Sequence, residues 1–454
     1  MTPVSPESPP SPFSEAGRQV VHITMGGWAL LLRWITWRHA AALAIAALAF
    51  NLFVLPRAGG RRLYRASDTT RGLPVGILVY PLAVLALVLV FPYRLDIVAA
   101  AWGIMAAGDG LATLVGRRFG RTRLSWNPDK TVEGTLAFIV CGSMAGVFLA
   151  WWVGPAIVPP PPPGFWIAAP VAAAIVAALV ESIPVRLDDN VSVPASAAGV
   201  LWMASLVSVD PRSIPSLLTV ILTGLALNVT VAVLGWIART VSVAGAITGA
   251  IIGTIIYAGA GTPGWILLLT AFVAASVTSR LGIRRKEALG VAEDRGGRRG
   301  PGNAIANTGI AACAAVLKLF STHGPACDLA LTAALVAGAS DTVASEIGKA
   351  WGRRTFLVTS IRQVPPGTPG AISLEGTLAL AGSAALLAWL AHGLGLIGPE
   401  TLPVIAFAAF AASFIESVLG ATLESRGILN NDLLNFVTTG SAAALALVLA
   451  GAVR

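Results

Sequence analysis

Two stretches of this 454-residue chain carry the same chemistry-bearing residues in the same order. Gly108–Arg121 reads GDGLATLVGRRFGR and Ser340–Arg353 reads SDTVASEIGKAWGR, so that Asp109, Ala112, Gly116, Gly120 and Arg121 align without a gap on Asp341, Ala344, Gly348, Gly352 and Arg353. After a basic stretch, Glu133-Gly134-Thr135-Leu136-Ala137 returns as Glu375-Gly376-Thr377-Leu378-Ala379, with ten more residues in the second connection. One apolar run later come Glu181-Ser182 and Glu416-Ser417, followed by Asp188-Asp189-Asn190 and Asn430-Asn431-Asp432. Four landmarks in one order point to an internal repeat.

The residue types suit phosphoryl transfer. Carboxylates within or at the edge of a membrane are expensive, by a few kcal/mol at the bilayer centre, and so are usually paired, metal-bound or functional. A cluster of them beside Asn side chains is what a hard cation such as Mg²⁺ requires, and Mg²⁺ in turn calls for phosphates. The expected metal ligands are Asp109, Asp188 and Asp189 in the first copy, and Asp341 and Asp432 in the second. Candidate catalytic residues are Asp109, Lys130, Glu133 and Glu181, then Asp341, Glu346, Glu375 and Glu416. Either Glu133 or Glu181 serves as general base, and the residues alone do not choose between them. Nucleotide and phosphate are expected on Arg117, Arg121 and Asn190 in the first half. In the second half they fall to Arg298, Arg299, Asn303, Asn307, Lys349, Arg353, Arg362, Asn430, Asn431 and Asn435.

Plainer roles compete for some of these types. A single carboxylate at a helix end is about as often half of an ion pair as a ligand. Arg57, Arg61, Arg62, Arg65, Arg284 and Arg285 read as topology anchors. Gly116, Gly120, Gly348 and Gly352 carry less weight, because Gly packs membrane helices anywhere. No GxxxxGK[ST] loop occurs, His39, His323 and His392 have no partner pattern, and Cys141, Cys313 and Cys327 are too far apart for a paired site.

These residues must be positioned by membrane helices. Hydrophobic residues make up 56% of the chain, charged residues 12%, and mean hydropathy is +0.78, which no water-soluble core could hide. Apolar runs such as Pro74 to Phe91, Val132 to Val153, Ser216 to Ile237 and Leu433 to Val453 approach the ~20 residues that span a bilayer. They are too continuous for the alternation of a membrane barrel. The expected fold is all-α and polytopic, with about 13–15 transmembrane helices in two parallel-repeat halves. The net charge of +9 is gathered at Arg57 to Arg71, Arg117 to Arg123, Arg280 to Arg299 and Lys349 to Arg362. An even number of apolar runs separates each basic group from the next, so all are expected to face the cytoplasm. The Pro159 to Pro163 run and Gly259 to Gly264 are uncharged and read as connections on the other side. Residues 1–17 read as a disordered tail, with the first helix starting near Val20.

GDGLATLVGRRFG, WNPDKTVEGTLAF and ESIPVRLDDNVSVP resemble the membrane phytol kinase and dolichol kinase family, which is similar to the cytidylyltransferases that make CDP-diacylglycerol. Arg18 and His22 in GRQVVHI look like that family's Arg-Lys…His element, with Gln19 where Lys is usual. The second half resembles the membrane family that includes plant phytyl-phosphate kinase. Its features are VSVAGAITGAIIGT, GGRRGPGNAIANTG, SDTVASEIGK, VPPGTPGAISLEGT and ESVLGATLE with NNDLLNF. The chain thus looks like a fusion, with a phytol/dolichol kinase-like domain at 18–210 and a phytyl-phosphate kinase-like domain at 211–454.

The resemblance implies successive phosphorylation of an isoprenoid alcohol to its monophosphate and then its diphosphate, with Mg²⁺ as cofactor and CTP as donor of the first step. Membrane lipid, the alcohol, its monophosphate and a nucleoside triphosphate are the expected partners. No nucleic acid is among them. A cell inner membrane, with the sites facing the cytoplasm, is the expected location. The residues agree on one point. The second half has one acidic residue fewer in its Asn430-Asn431-Asp432 motif and adds Arg298, Arg299 and Asn303, a shift toward positive charge that suits an acceptor already bearing phosphate. A CDP-lipid-forming cytidylyltransferase is the alternative enzyme, and a transporter is the non-enzyme alternative.

Overall fold

The computed structural model describes residues 15–58, 75–161, 164–184, 187–208, 214–291 and 298–451. Arg61, Arg62, Arg65 and most of the expected N-terminal tail lie outside them. Lipid offers no hydrogen-bond partners, so an apolar chain satisfies its backbone internally as helices. Among the described residues, ten helices are long and apolar enough to cross a membrane, and Gly76–Val90 and Phe165–Glu181 are shorter apolar ones. One of the ten, Val243–Arg280, is interrupted at Gly261, whose φ of 64° and ψ of −162° belong to glycine alone. Asn228 accepts from Trp265 and lies against Gly253, so the chain doubles back at that break. With this helix counted twice and the shorter two included, the described residues reach thirteen apolar helices, the lower end of the expected range.

The chain divides into two compact units, Met1–Val207 and Ser208–Arg454. Unit 1 contains α1 (Glu15–Gly26), α2 (Trp37–Ala49), α3 (Val75–Val90), α4 (Leu95–Gly103), α5 (Gly110–Phe119), α6 (Val132–Val153), α7 (Phe165–Glu181) and α8 (Asp189–Ser205). The first helix starts by Glu15 rather than near Val20. His22 and Ile23 of α1 pack on Gly110, a tertiary contact that no local pattern announces. The core of the unit is α4 and the turn after it, where Ile97 to Ala101, Ile104 and Met105 are fully buried. That turn, Ile104–Asp109, is a π-helical segment, a feature that concentrates at functional sites.

Unit 2 contains α9 (Ile214–Ile237), α10 (Val243–Arg280), α11 (Ile283–Ala288), α12 (Pro301–Phe320), α13 (Gly324–Trp351), α14 (Leu374–Gly393), α15 (Leu402–Leu419) and α16 (Asn431–Leu449). Its core is α13, buried continuously from Leu329 to Ser340. Between α13 and α14 lies a short antiparallel ladder of β1 (Thr355–Leu357) and β2 (Ala371–Ser373). It occupies the connection that is ten residues longer than its unit 1 counterpart, and the fold remains all-α. The three cysteines are free.

Candidate functional site: carboxylate clusters at helix ends

In unit 1 the connection from α5 to α6 is a tight turn. Leu124 N–H donates to the Lys130 carbonyl at 3.1 Å and Lys130 N–H to the Asn127 carbonyl at 3.1 Å. Thr131 caps α6 by accepting from Gly134 N–H at 3.1 Å. The turn is stapled to the end of α7: Asn127 Nδ2 donates to the Ser182 carbonyl at 3.0 Å and Trp126 Nε1 to Ser182 Oγ at 3.2 Å. Ser182 follows Glu181, so the staple delivers Lys130 to Glu181, with Asp189 3.3 Å from the same Nζ.

Asp109, at the end of the π turn, completes the group. One carboxylate oxygen from each of Asp109, Glu181 and Asp189 lies within 4.8 Å of the other two, a donor set of hard oxygens that fits a divalent cation such as Mg²⁺. Asn190 adds a buried Oδ1 with no hydrogen-bond partner, another oxygen of the kind such an ion takes. The Lys130 ammonium is lowered in pKa by burial, yet Asp189 and Glu181 more than offset this, so its pKa is raised and its charge is held.

Asp109 also faces an apolar space. A cavity of ≈ 700 Å³ is lined by α1, α2 and α3, with Leu32, Ala40, Ala44, Val84 and Val88 among its walls. This lies within the ~300–1,000 Å³ usual for small-molecule sites. Its polar end holds Asp109, Asn190, His22, Tyr80 and Arg18. His22 Nε2 is 3.3 Å from the Met105 carbonyl and 3.8 Å from Asp109 Oδ2. Trp102 donates to Tyr80 at 2.7 Å, and Tyr80 donates to the His22 carbonyl at 3.3 Å, which ties α1 to α3 and α4.

Two unit 1 candidates stand elsewhere. Glu133 accepts from Thr122 N–H at 3.2 and 3.3 Å, which closes the turn at its far side and keeps this carboxylate out of the cluster. Asp188 caps α8, its Oδ1 accepting from Asn190 N–H at 2.9 Å and from Asn190 Nδ2 at 2.8 Å. Glu181 therefore stands in the carboxylate group where Asp188 was expected. Arg117 and Arg121 are exposed on the loop side of α5.

Unit 2 repeats several of these local arrangements. Ser373 caps α14 by accepting from Gly376 N–H at 3.1 Å, as Thr131 does for α6, and Arg353 N–H donates to Glu375 at 3.3 Å, as Thr122 does to Glu133. The loop before α14 again docks beside the second glutamate. A Cβ on Gly370 would lie 2.3 Å from both the Ser417 carbonyl and the Ala421 amide. The carboxyl groups of Asp341 and Glu416 meet, and Thr438 donates to Glu416.

The differences are in the charges. Ile372 occupies the position that Lys130 holds before the shared Glu-Gly-Thr. Glu346 is buried away from Asp341, paired with the fully buried Lys286 and, at 2.8 Å, with Lys349. Lys286 also donates to the Ser279 carbonyl at 2.6 Å. The ion pair accounts for Glu346 as a structural residue, and Lys286 had no signal in the sequence beyond lying in a basic stretch. A cavity of ≈ 130 Å³ is lined by Arg299, Asn303, Asn307, Asn228 and Trp265. Arg299 also reaches Ser279 Oγ at 3.5 Å. Asp432 lies against Gly302 in the first turn of α12. Asn430 caps α16 by accepting from Leu433 N–H at 2.9 Å, Asn435 is buried, and Asn431, Arg298, Arg353 and Arg362 are exposed.

Residues 226–443 match the family model described as integral membrane protein DUF92. The chain is 41% identical over 200 residues to an uncharacterized membrane protein of Synechocystis, sll0875, covering 43% of this chain and 78% of that one. It is 35% identical over 215 residues to the chloroplastic protein VTE6 of Arabidopsis thaliana, covering 46% of this chain and 65% of VTE6. It is 33% identical over 206 residues to a phytol kinase of Synechocystis, covering 42% of this chain and 80% of that enzyme. No solved structure matches. The stretch 226–443 of the chain belongs to the DUF92 family of integral membrane proteins.

Proposed function

We infer that the chain is a membrane prenol kinase in which unit 1 phosphorylates an isoprenoid alcohol and unit 2 phosphorylates the resulting monophosphate. One observation carries this reading: Asp109 belongs both to the carboxylate group with Glu181 and Asp189 and to the polar end of a large apolar cavity. An alcohol whose chain lies in that cavity would present its hydroxyl where a metal-bound triphosphate ends. The relative named phytol kinase supports the acceptor class.

Asp109, Glu181 and Asp189 would hold Mg²⁺, which supplies charge neutralisation on the transferring phosphoryl group. The chain's own residues do the rest. Lys130, with Arg117 and Arg121 at the loop surface, grips the polyphosphate of CTP, the expected donor. The cavity walls orient the acceptor, and with Glu133 held in its turn and Glu181 and Asp109 assigned to the metal, His22 beside Asp109 receives the hydroxyl proton. Phosphoryl transfer needs mainly positioning and charge neutralisation, so such a set is sufficient. In unit 2, Asp341 and Glu416 take the metal side, while Arg299, Asn303 and Asn307 meet the phosphate that the acceptor already carries. The DUF92 match lies wholly within unit 2, which supports reading the chain as a fusion of two related halves. Both sites are taken to open to the cytoplasm.

The test is lipid product analysis with purified protein, Mg²⁺, a panel of prenols, and CTP labelled either in its terminal phosphate or in cytidine. Terminal label in prenyl mono- and diphosphate is expected. Cytidine label in lipid would instead establish the cytidylyltransferase alternative.

A further inference from the structure

Lys130 stands where two demands collide. Its ammonium contacts Glu181 and lies 3.3 Å from Asp189 Oδ2, and these are two of the three carboxylates that suit a divalent cation. A cation bound to these carboxylates at ~2.1 Å would sit within a few ångströms of Nζ, where a 2+ and a 1+ charge repel. The two therefore compete for Glu181 and Asp189. The main chain at Lys130 is fixed by the Asn127 and Trp126 staple, while the four-carbon side chain is partly exposed and can swing.

We propose that Lys130 is a tethered counter-ion, which pairs with Glu181 and Asp189 in the resting protein and moves onto the polyphosphate only when metal and nucleotide arrive together. The proposal rests on the reading of unit 1 as a metal–nucleotide site. It deepens that reading by making Lys130 a gate against free metal as well as a phosphate ligand. Mg²⁺ retains several waters and binds through one or two carboxylates plus substrate phosphates, so the nucleotide brings both the ion and the new partner for the lysine. Without phosphate, displacing Nζ would leave an ammonium partly desolvated and unpaired, which opposes metal entry. Unit 2 has Ile372 at this position, so the device belongs to unit 1.

The experiment measures Mn²⁺ binding to the full-length protein in nanodiscs by electron paramagnetic resonance, with no prenol present. Asp109→Asn identifies the unit 1 ion as the one that it removes. Wild type should bind this ion weakly alone and roughly tenfold or more tightly with CTP. Lys130→Met should bind it roughly tenfold or more tightly without CTP, with little further gain on adding it, and Lys130→Arg should behave as wild type. Equal wild-type affinity with and without CTP overturns the proposal, as does Lys130→Met binding no tighter than wild type. The wild-type comparison needs no variant to fold. Prenol phosphorylation is scored separately: its absence would remove the kinase reading and leave the exchange of lysine for metal standing.

Discussion

Asn127 donates its side-chain amide to the main-chain carbonyl of Ser182, 55 residues away, at 3.0 Å. That bond joins the α5–α6 turn to the end of α7 and brings Lys130 to Glu181. Asn127 is buried, with Oδ1 accepting from Asp129 N–H at 3.2 Å. Asn127→Ala strands the Ser182 carbonyl and should cost about 1–3 kcal/mol of stability. It should also lower alcohol phosphorylation more than monophosphate phosphorylation. Thermal unfolding and the two assays in parallel test both statements, and equal loss in the two assays would remove the special role of the staple.

The two units should fail separately. Asp109→Asn is expected to stop phosphorylation of the alcohol while sparing added monophosphate, and Asp341→Asn to let monophosphate accumulate from alcohol. Each loss should be about a hundredfold or more, since a charged group acting on a transferring phosphoryl is worth several kcal/mol. Loss of the same single step in both variants would defeat the two-site reading.

The unit 1 cavity should sort acceptors by size. Ala44 is 7% exposed and lines it. Ala44→Trp fills part of the space, so phosphorylation of long prenols should fall by about tenfold while a short prenol such as geraniol is retained. The ratio of kcat/KM for long and short acceptors is the measurement. An unchanged ratio would mean that the chain lies elsewhere.

The buried pair Lys286–Glu346 should be a large term in unit 2. Removing one partner leaves an uncompensated charge, so Lys286→Met is expected to cost about 3–5 kcal/mol. Replacing both by apolar residues, Lys286→Met with Glu346→Leu, should recover much of that, despite the second contact of Glu346 with Lys349. Unfolding of the single and double variants decides this.

Lys130 also predicts a pH response. Its pKa is raised in the folded protein, so the stability that it contributes is fully present below the ordinary lysine value of about 10.4 and is lost only as pH rises through the raised value. The difference in unfolding midpoint between wild type and Lys130→Met should therefore stay constant from neutral pH to about pH 10. A difference that shrank near neutrality would show that the carboxylates do not hold this charge.

The apolar runs and the ordered pairs Asp109/Asp341, Glu133/Glu375 and Glu181/Glu416 were legible in the chain, because burial in lipid and repetition both write themselves into composition and spacing. Which carboxylates meet was not legible. Glu133 and Glu181 look alike along the chain, yet one closes a turn and the other joins Asp109, because a loop bond between Asn127 and Ser182 selects the second. Glu346 resembles a site residue until Lys286 is brought against it from another helix. Asp188 and Asp189 are neighbours whose roles are divided by where α8 begins. The sequence by itself thus determined a helical membrane chain with two sets of acidic and basic landmarks. Only the tertiary structure decided which of them share a charge, which cap a helix and which open onto the apolar cavity. Partnership among charges in lipid depends on a few ångströms between side chains far apart in sequence, and no local pattern encodes that separation.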